Sequence, residues 1–432
     1  MERTVDELGN PNPKQRRGTV VLVVSCLVVA ALSMAAFTGY FWLKGFQSSE
    51  TAQPLERVEG LPVTVLVLGI DSGVDGNGHP IKDPRNGRTR SDTMIVASVD
   101  PQQKRIGLLS VPRDTRVAIQ GRSGFEKIAH ANAYGGPALA IKTVEQLLGV
   151  DINFYVRVDF QGFKAIVDAL GGVEMTIPHQ MDYEDPYQNL YIHIKPGKQL
   201  LNGEKALQVV RYRQYPNGDI DRIAMQQKFL QALAARALQM DTLSKLPQLQ
   251  RELVKYVDTN MGPSDMLWFL NIARQAGDYS IEMATLPGEP ATLSDANGTS
   301  ISYWVVNQSS ARKVVDKVLR GINHDANIKY RVAVVDSLGR AELVSKISQT
   351  LRDQGYTVVA APSEDQPKSP QEQTVLVQHC SSDEPLRAVE RSMRYLCADL
   401  RTKRRVDSSL NVDVTVVLGK DFAGQSSGPG GR

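Results

Sequence analysis

Cysteine is scarce in this chain, with three in 432 residues, at Cys26, Cys380 and Cys397. So few, so scattered, exclude a disulfide scaffold and a zinc site of paired cysteines. Cys26 falls inside an apolar run, which leaves Cys380 and Cys397 as one pair that an oxidising compartment would join or leave free. Histidine is also sparse, at 6, and no HExxH occurs, so a zinc hydrolase of that pattern is excluded. A GxxxxGK[ST] loop is missing, and with it the usual nucleotide phosphate cradle. An excess of one charge is missing too: Lys+Arg 50 against Asp+Glu 47 leaves a net +3. A nucleic-acid binder would show a domain dominated by basic residues. Any anion this protein holds must therefore meet a local cluster of Arg and Lys.

Charge is also absent over a long stretch. Residues 19–42, TVVLVVSCLVVAALSMAAFTGYFW, run for 24 residues without a charged side chain. A helix of that length crosses a hydrocarbon core of ~30 Å with some tilt. Lys14, Arg16 and Arg17 precede it and Lys44 alone follows. This predicts a cytoplasmic N-terminus and an extracytoplasmic remainder, with Phe37, Tyr40, Phe41 and Trp42 as an interfacial aromatic belt. The competing reading is a cleaved signal peptide, whose apolar region is shorter (~7–15 residues) and ends at small residues rather than aromatics.

The rest reads as α/β. Residues 61–70 form a continuous β-branched run, the pattern of a strand buried in a central mixed sheet flanked by helices. TMIVASVD and RIGLLSVP read as two further strands joined at Pro101–Lys104, and residues 206–213 read as extended. Residues 138–148, 160–170 and 221–240 have helical spacing. A smaller α/β pattern follows, with strands at KYRVAVVDS, YTVVAAP, TVLVQHC and DVTVVLG and helices over 340–354 and 384–401. The expected organisation is a cytoplasmic tail (1–18), a transmembrane helix (19–43), a linker (44–60) and a catalytic domain (61–308). A second linker (309–327), a second α/β domain (328–421) and a disordered tail (422–432) complete it.

Three segments gather Asp and Arg where strands end: Asp71; Arg88, Arg90, Ser91 and Asp92; and Arg113 with Asp114. Strand ends of open α/β sheets are where ligands bind. Two carboxylates entering one cleft suit Mg²⁺ held against phosphate oxygens. Taken singly, each of these residues is equally well explained as a turn cap or a surface ion pair. Arg211 and Arg213, two apart on an extended segment, would leave one strand face. Two guanidinium groups side by side call for a polyanion between them, and their fork matches phosphate. Asp219, Arg222 and Gln226 follow at a helix start, an anion-binding place, although a solvated, Asp-capped helix start explains them as well.

These residues stand within stretches that resemble the LytR-CpsA-Psr family of envelope glycan phosphotransferases. The stretches are VLVLGIDSG, RTRSDTMIVASVDP, LLSVPRDTRV, KIAHANAYGG, VRVDFQGFKAIVDALGGVEMTIP, LNGEKALQVVRYR and GDIDRIAMQQ, in family order. The unit ending DVTVVLGKDF resembles the LytR C-terminal domain. The resemblance implies a polyprenyl-pyrophosphate-linked glycan donor, a hydroxyl acceptor on peptidoglycan or another envelope polymer, membrane lipid as a partner and no nucleic acid. It implies Mg²⁺, or Mn²⁺ in its place, held by Asp71 and Asp92. Arg90, Arg113, Arg211, Arg213, Arg222 and Gln226 would contact the pyrophosphate. Asp219 would brace the arginines or take the acceptor proton, and apolar faces would form a slot for the isoprenoid chain. The chain departs from the family at Gly73 and Met225, where arginine is frequent, at Ala129, where asparagine is frequent, and in the long insertion 74–87. The other readings of the same residues are a pyrophosphatase on the lipid-linked glycan and a non-catalytic binder of it.

Overall fold

The computed structural model describes residues 53–55, 57, 61–70, 90–185, 190–212, 214–215, 225, 228–229, 232–233, 236, 257–275, 279–294, 300–397, 399–407 and 409–423. The apolar run 19–42 lies outside them; no helix among the described residues is long and apolar enough to cross a membrane. The first unit is built on β1 (Val63–Ile70), β2 (Ser91–Asp100), β3 (Arg105–Ser110), β4 (Phe154–Asp159), β5 (Val257–Thr259) and β6 (Ser280–Thr285). They form one six-stranded sheet in the order β5-β4-β1-β2-β3-β6. β1 is parallel to β4 and β3 to β6, while the β1–β2, β2–β3 and β4–β5 pairs are antiparallel. The mixed sheet expected from the sequence is therefore present.

Alternation decides which residues meet which layer. Val63, Val65, Ala97, Val99, Ile106 and Leu108 face one side. Leu66, Leu68, Met94, Val96 and Leu109 face the other. Both faces are apolar because both are covered, which is why β1 reads as an unbroken hydrophobic run. Helices among the described residues include α1 (Ala129–Leu148), α2 (Phe160–Ala169), α3 (Gly203–Arg211), α4 (Pro263–Arg274) and α5 (Gln308–Val315). α4 covers the first face with Met266, Phe269 and Ile272, and α1 and α5 cover the second. α1 is kinked at Gly135 and Gly136, with Pro137 following, so only its straight C-terminal part shows helical spacing in sequence. Beyond β4, α2 and α3 share a third core with two strand pairs, Val173–Ile177 with Gly197–Leu201 and Met181–Asp185 with Leu190–Ile194.

Two expectations fail in this unit. Residues 206–211, expected as extended, are helical: α3 covers 203–211. The side chain of Asn202 caps it by accepting from the Lys205 amide at 3.0 Å, and Ala206, Leu207 and Val209 are buried. The β-branched valines suggested a strand, but the cap and the helical-period burial decide otherwise. The expected linker 309–327 is also folded. α5 runs into a π-helical turn, Asp316–Arg320, and Ala311, Val315, Val318 and Leu319 fill the second face's core. A Cβ at Gly107 would lie 1.7 Å from the Val318 carbonyl oxygen, so this glycine is what lets the turn reach the sheet.

The C-terminal unit holds β7 (Arg331–Asp336), β8 (Thr357–Val358), β9 (Thr374–Gln378), β10 (Leu400–Arg404) and β11 (Val414–Leu418). Their order is β8-β7-β11-β9-β10, with α6 (Ala341–Asp353) and α7 (Glu384–Arg394) packed against them. The helix expected over 384–401 stops at 394, where the Leu396 and Cys397 amides both bond to the Met393 carbonyl. Residues 400–404 instead pair as an edge strand, parallel to β9. Phe422, expected in a disordered tail, is buried in this core. Cys380 and Cys397 are free thiols, not a pair. Burial and the neighbouring Asp421 push the Cys397 thiol up to about 11, so it stays protonated at neutral pH.

The two units meet through a polar seam. Asp316, 2% exposed, accepts from Arg320 Nη1 at 2.6 Å and lies 2.8 Å from His324 Nε2. The Arg320 guanidinium stands over the Tyr395 ring at 5.6 Å, and the Tyr395 hydroxyl donates to the Arg320 carbonyl at 3.3 Å. Arg391 Nη1 donates to Gln103 Oε1 at 3.2 Å in the β2–β3 turn.

Candidate functional site

Four chain segments arrive at one edge of the central sheet: the carboxyl ends of β1, β3 and β4 and the start of β2. Ile70, the last residue of β1, pairs with Asp159 on one side and Ser91 on the other. The pairing slips there: Gly69 faces Thr93, yet Ile70 faces Ser91, so Asp92 is the extra residue of a β-bulge. Bulges re-aim a side chain out of the regular pleat and recur beside active sites. At Gly69, a Cβ would lie 3.0 Å from that of Thr93, so the two strands close tightly just before the bulge.

Asp92 meets an arginine from the loop after β3. Arg113 Nη1 donates to Asp92 Oδ1 at 2.6 Å, with side-chain exposures of 35% and 30%. Arg113 Nε also lies 3.6 Å from Asp114 Oδ2, and Lys127 Nζ lies 2.7 Å from Asp114 Oδ1. The result is an alternating chain of charges, Asp92–Arg113–Asp114–Lys127. Burial pulls the Arg113 guanidinium down, but the Asp92 and Asp114 carboxylates outweigh it and hold the group above its ordinary value. The backbone fixes this loop: the Thr115 amide bonds to the Pro112 carbonyl, and Ala129 to that of Arg113. Lys127 and the Asp114 link were missed in the sequence reading, because nothing in the spacing of the two segments shows that they close on each other.

A second group lies at the end of β4. Asp159 Oδ1 accepts from the Gly162 amide at 2.6 Å and so caps α2. The next residue, Phe160, lies under the Arg211 guanidinium, 4.8 Å from ring centroid to Cζ. Arg211 ends α3 and so does not stand on a strand, while Arg213, its partner in that expectation, lies outside the described residues. Arg90 is exposed and directly precedes Ser91, which is buried.

Asp71, Arg213, Asp219, Arg222 and Gln226 lie outside the described residues. Met225, where the family often carries arginine, is 4% exposed in the core with Phe229 and Leu233. No group of three or more His, Cys, Asp or Glu able to hold a metal ion occurs among the described residues. Asp92 suits a hard cation as one ligand of a small set: it is a partly exposed carboxylate with Oδ1 alone engaged among the described residues, by Arg113. Mg²⁺ takes few protein carboxylates and completes its shell with phosphate and water oxygens.

The LytR_cpsA_psr family matches residues 44–320, and the LytR cell envelope-related transcriptional attenuator family matches residues 329–422. The boundary agrees with the folded turn that ends at Arg320. Among curated relatives is the polyisoprenyl-teichoic acid–peptidoglycan teichoic acid transferase TagU of Enterococcus faecalis. It is 32% identical over 310 residues, 70% of this chain and 95% of that protein. The similarly named TagV of Bacillus subtilis is 30% identical over 289 residues, 66% of this chain and 72% of its own. A crystal structure of a Streptococcus agalactiae protein superposes with a TM-score of 0.51 at 24% identity, covering 60% of this chain and 89% of that one. That likeness supports the fold alone.

Proposed function

The chain belongs to the LytR-CpsA-Psr family, and on that premise we propose that it is a membrane-anchored transferase of the cell envelope. It moves a glycan phosphate from a polyprenyl-pyrophosphate carrier to a hydroxyl of peptidoglycan or another envelope polymer. The observation that carries this reading is the Asp92–Arg113 pair, lifted by a bulge to the sheet edge where β1 and β4 also end. Relatives named as transferases of polyisoprenyl-linked teichoic acid to peptidoglycan support the donor and acceptor classes. The uncharged run 19–42 supports the anchor.

In this reading Arg90, Arg113 and Arg211, with Arg213, Arg222 and Gln226, hold the pyrophosphate oxygens. Guanidinium forks match that geometry and gather charge where it develops in phosphoryl transfer. Asp92 and Asp71 would hold Mg²⁺ or Mn²⁺, which when bound adds positive charge beside the phosphate oxygens. Asp92 also keeps Arg113 aimed at the edge. The acceptor oxygen attacks the glycan-bearing phosphorus and a new P–O bond forms. The bond to the bridging oxygen breaks, polyprenyl phosphate leaves, and the hydroxyl proton passes to Asp219. The pyrophosphate bond itself supplies the driving force, in keeping with the missing nucleotide loop.

The test is transfer by the detergent-extracted full chain from a lipid-linked glycan to added peptidoglycan strands, with polymer product and lipid phosphate both measured. Wild type should yield both, and only in acceptor's presence. Lipid phosphate released equally without acceptor identifies a pyrophosphatase instead, and donor bound without turnover identifies a binding protein.

A further inference from the structure

Beside the charge chain stands a patch that the transfer chemistry leaves unused. The strands Arg116–Val117 and Glu126–Lys127 pair as a small hairpin, tied to the reaction edge through the Lys127–Asp114 bond of 2.7 Å. The hairpin's loop turns at Gly121 and Gly124, both at φ +79°. Next to it two aromatic side chains are exposed, Phe125 at 51% and Tyr134 at 40%. Exposed rings of this size are normally loose, and these are held. The Arg116 guanidinium lies over Phe125 at 3.7 Å, and Arg122 lies over Tyr134 at 4.3 Å. The Tyr303 hydroxyl donates to the Phe125 carbonyl at 3.2 Å. Glu126 accepts from the Tyr134 hydroxyl at 2.5 Å and from Arg122 Nε at 3.2 Å, and lies 3.0 Å from His130 Nδ1.

We infer that Phe125 and Tyr134 form a saccharide subsite, in which pyranose rings stack on the exposed aromatic surfaces and their hydroxyls bond to the Arg116 and Arg122 guanidinium groups. An arginine stands over each ring, the His130 ring packs against Tyr134 at 5.8 Å between centroids, and the part of each ring left exposed is the apolar platform. Charged hydrogen-bonding groups lie immediately beside the rings, the mixed lining that a sugar's apolar faces and polar rim require. A lipid surface or an apolar helix would need continuous apolar area, which Arg116, Arg122 and Glu126 interrupt. The immobilised rings lower the ordering cost of binding. The choice between two sugar sources, the acceptor strand and the donor's own glycan, rests on the transferase reading; the binding itself does not.

Chitohexaose is titrated into the detergent-solubilised full chain, followed by calorimetry. Saturable binding is expected in wild type, weakened about five- to tenfold by Phe125→Ala and by Tyr134→Ala. Tyr134→Phe, which keeps the stacking face, should stay within about threefold of wild type. Melting temperatures accompany each variant, and Tyr134→Phe carries the comparison if an alanine variant is unfolded. In transfer assays, a raised acceptor KM with unchanged donor KM in Tyr134→Ala assigns the subsite to the acceptor strand, and the reverse assigns it to the donor glycan. Absence of saturable chitohexaose binding, or equal binding by wild type and folded alanine variants, overturns the subsite. Because the titration needs no turnover, it stands even if no transfer is observed.

Discussion

Charged side chains cluster in both units, but under opposite conditions. At the sheet edge Asp92 and Arg113 keep 30% and 35% of their side chains exposed, and among the described residues one Asp92 oxygen is engaged, by Arg113. In the C-terminal unit Asp365 and His379 keep 1% and 0%. There Asp365 Oδ2 lies 2.7 Å from His379 Nε2, and Oδ1 accepts from Arg405 at 2.9 Å. A buried carboxylate with both oxygens taken has no capacity left for a ligand. A half-exposed one with a single partner keeps it. Burial and saturation, rather than the presence of Asp and Arg, separate scaffold from site.

The comparison is broken most forcefully from the buried side. Asp365→Ala removes a partner of the buried His379 Nε2 and should cost about 1–3 kcal/mol, the usual penalty for a buried polar group left unsatisfied. Denaturant unfolding of the C-terminal unit reads this, and transfer per folded molecule should be unchanged. The exposed side should behave in reverse. Asp92→Ala is expected to lower transfer roughly 100-fold or more while the melting temperature barely moves, since exposed pairs contribute little. An Asp92→Ala protein that melts early but transfers normally would make the edge pair a scaffold after all. Smaller again is Arg113→Lys, which keeps charge but loses the fork. About a tenfold loss of transfer is expected, with unchanged fold.

The seam offers the subtlest contrast. Burial raises Asp316, but the hydrogen bonds and charges of His324 and Arg320 outweigh it and hold the carboxyl below its ordinary value. A depressed acid stabilises the fold above its unfolded value of about 4 and loses that contribution as pH falls through the folded value. Melting followed from pH 6 to 2 should therefore show an acid decline below about pH 4. Asp316→Asn should flatten it, and an unchanged acid limb in that variant would remove Asp316 from the account.

How much of this was legible in the sequence follows the same division. β1, β2 and β3 were readable because both sheet faces are covered, so burial leaves long apolar runs. The residue types of the site were readable as well, since Asp92 and Arg113 flank strands. Their juxtaposition was not. The bulge that lifts Asp92 is a property of the β1–β2 register, and the Asp114–Lys127 contact joins a loop to a hairpin. α3 was misread because Val209 and Val210 favour strands locally, while Asn202 and packing against α2 favour a helix. The seam was invisible for a related reason: Asp316 and Tyr395 belong to different units.

β2 touches both ends of this arrangement. Its first residues carry Asp92, and its last lead into the turn where Gln103 meets Arg391 of the C-terminal unit. Ten residues of strand at about 3.3 Å each make a rigid spacer on the order of 30 Å. The C-terminal unit is thereby kept at arm's length from the edge that carries Asp92, at a distance set by the length of one strand.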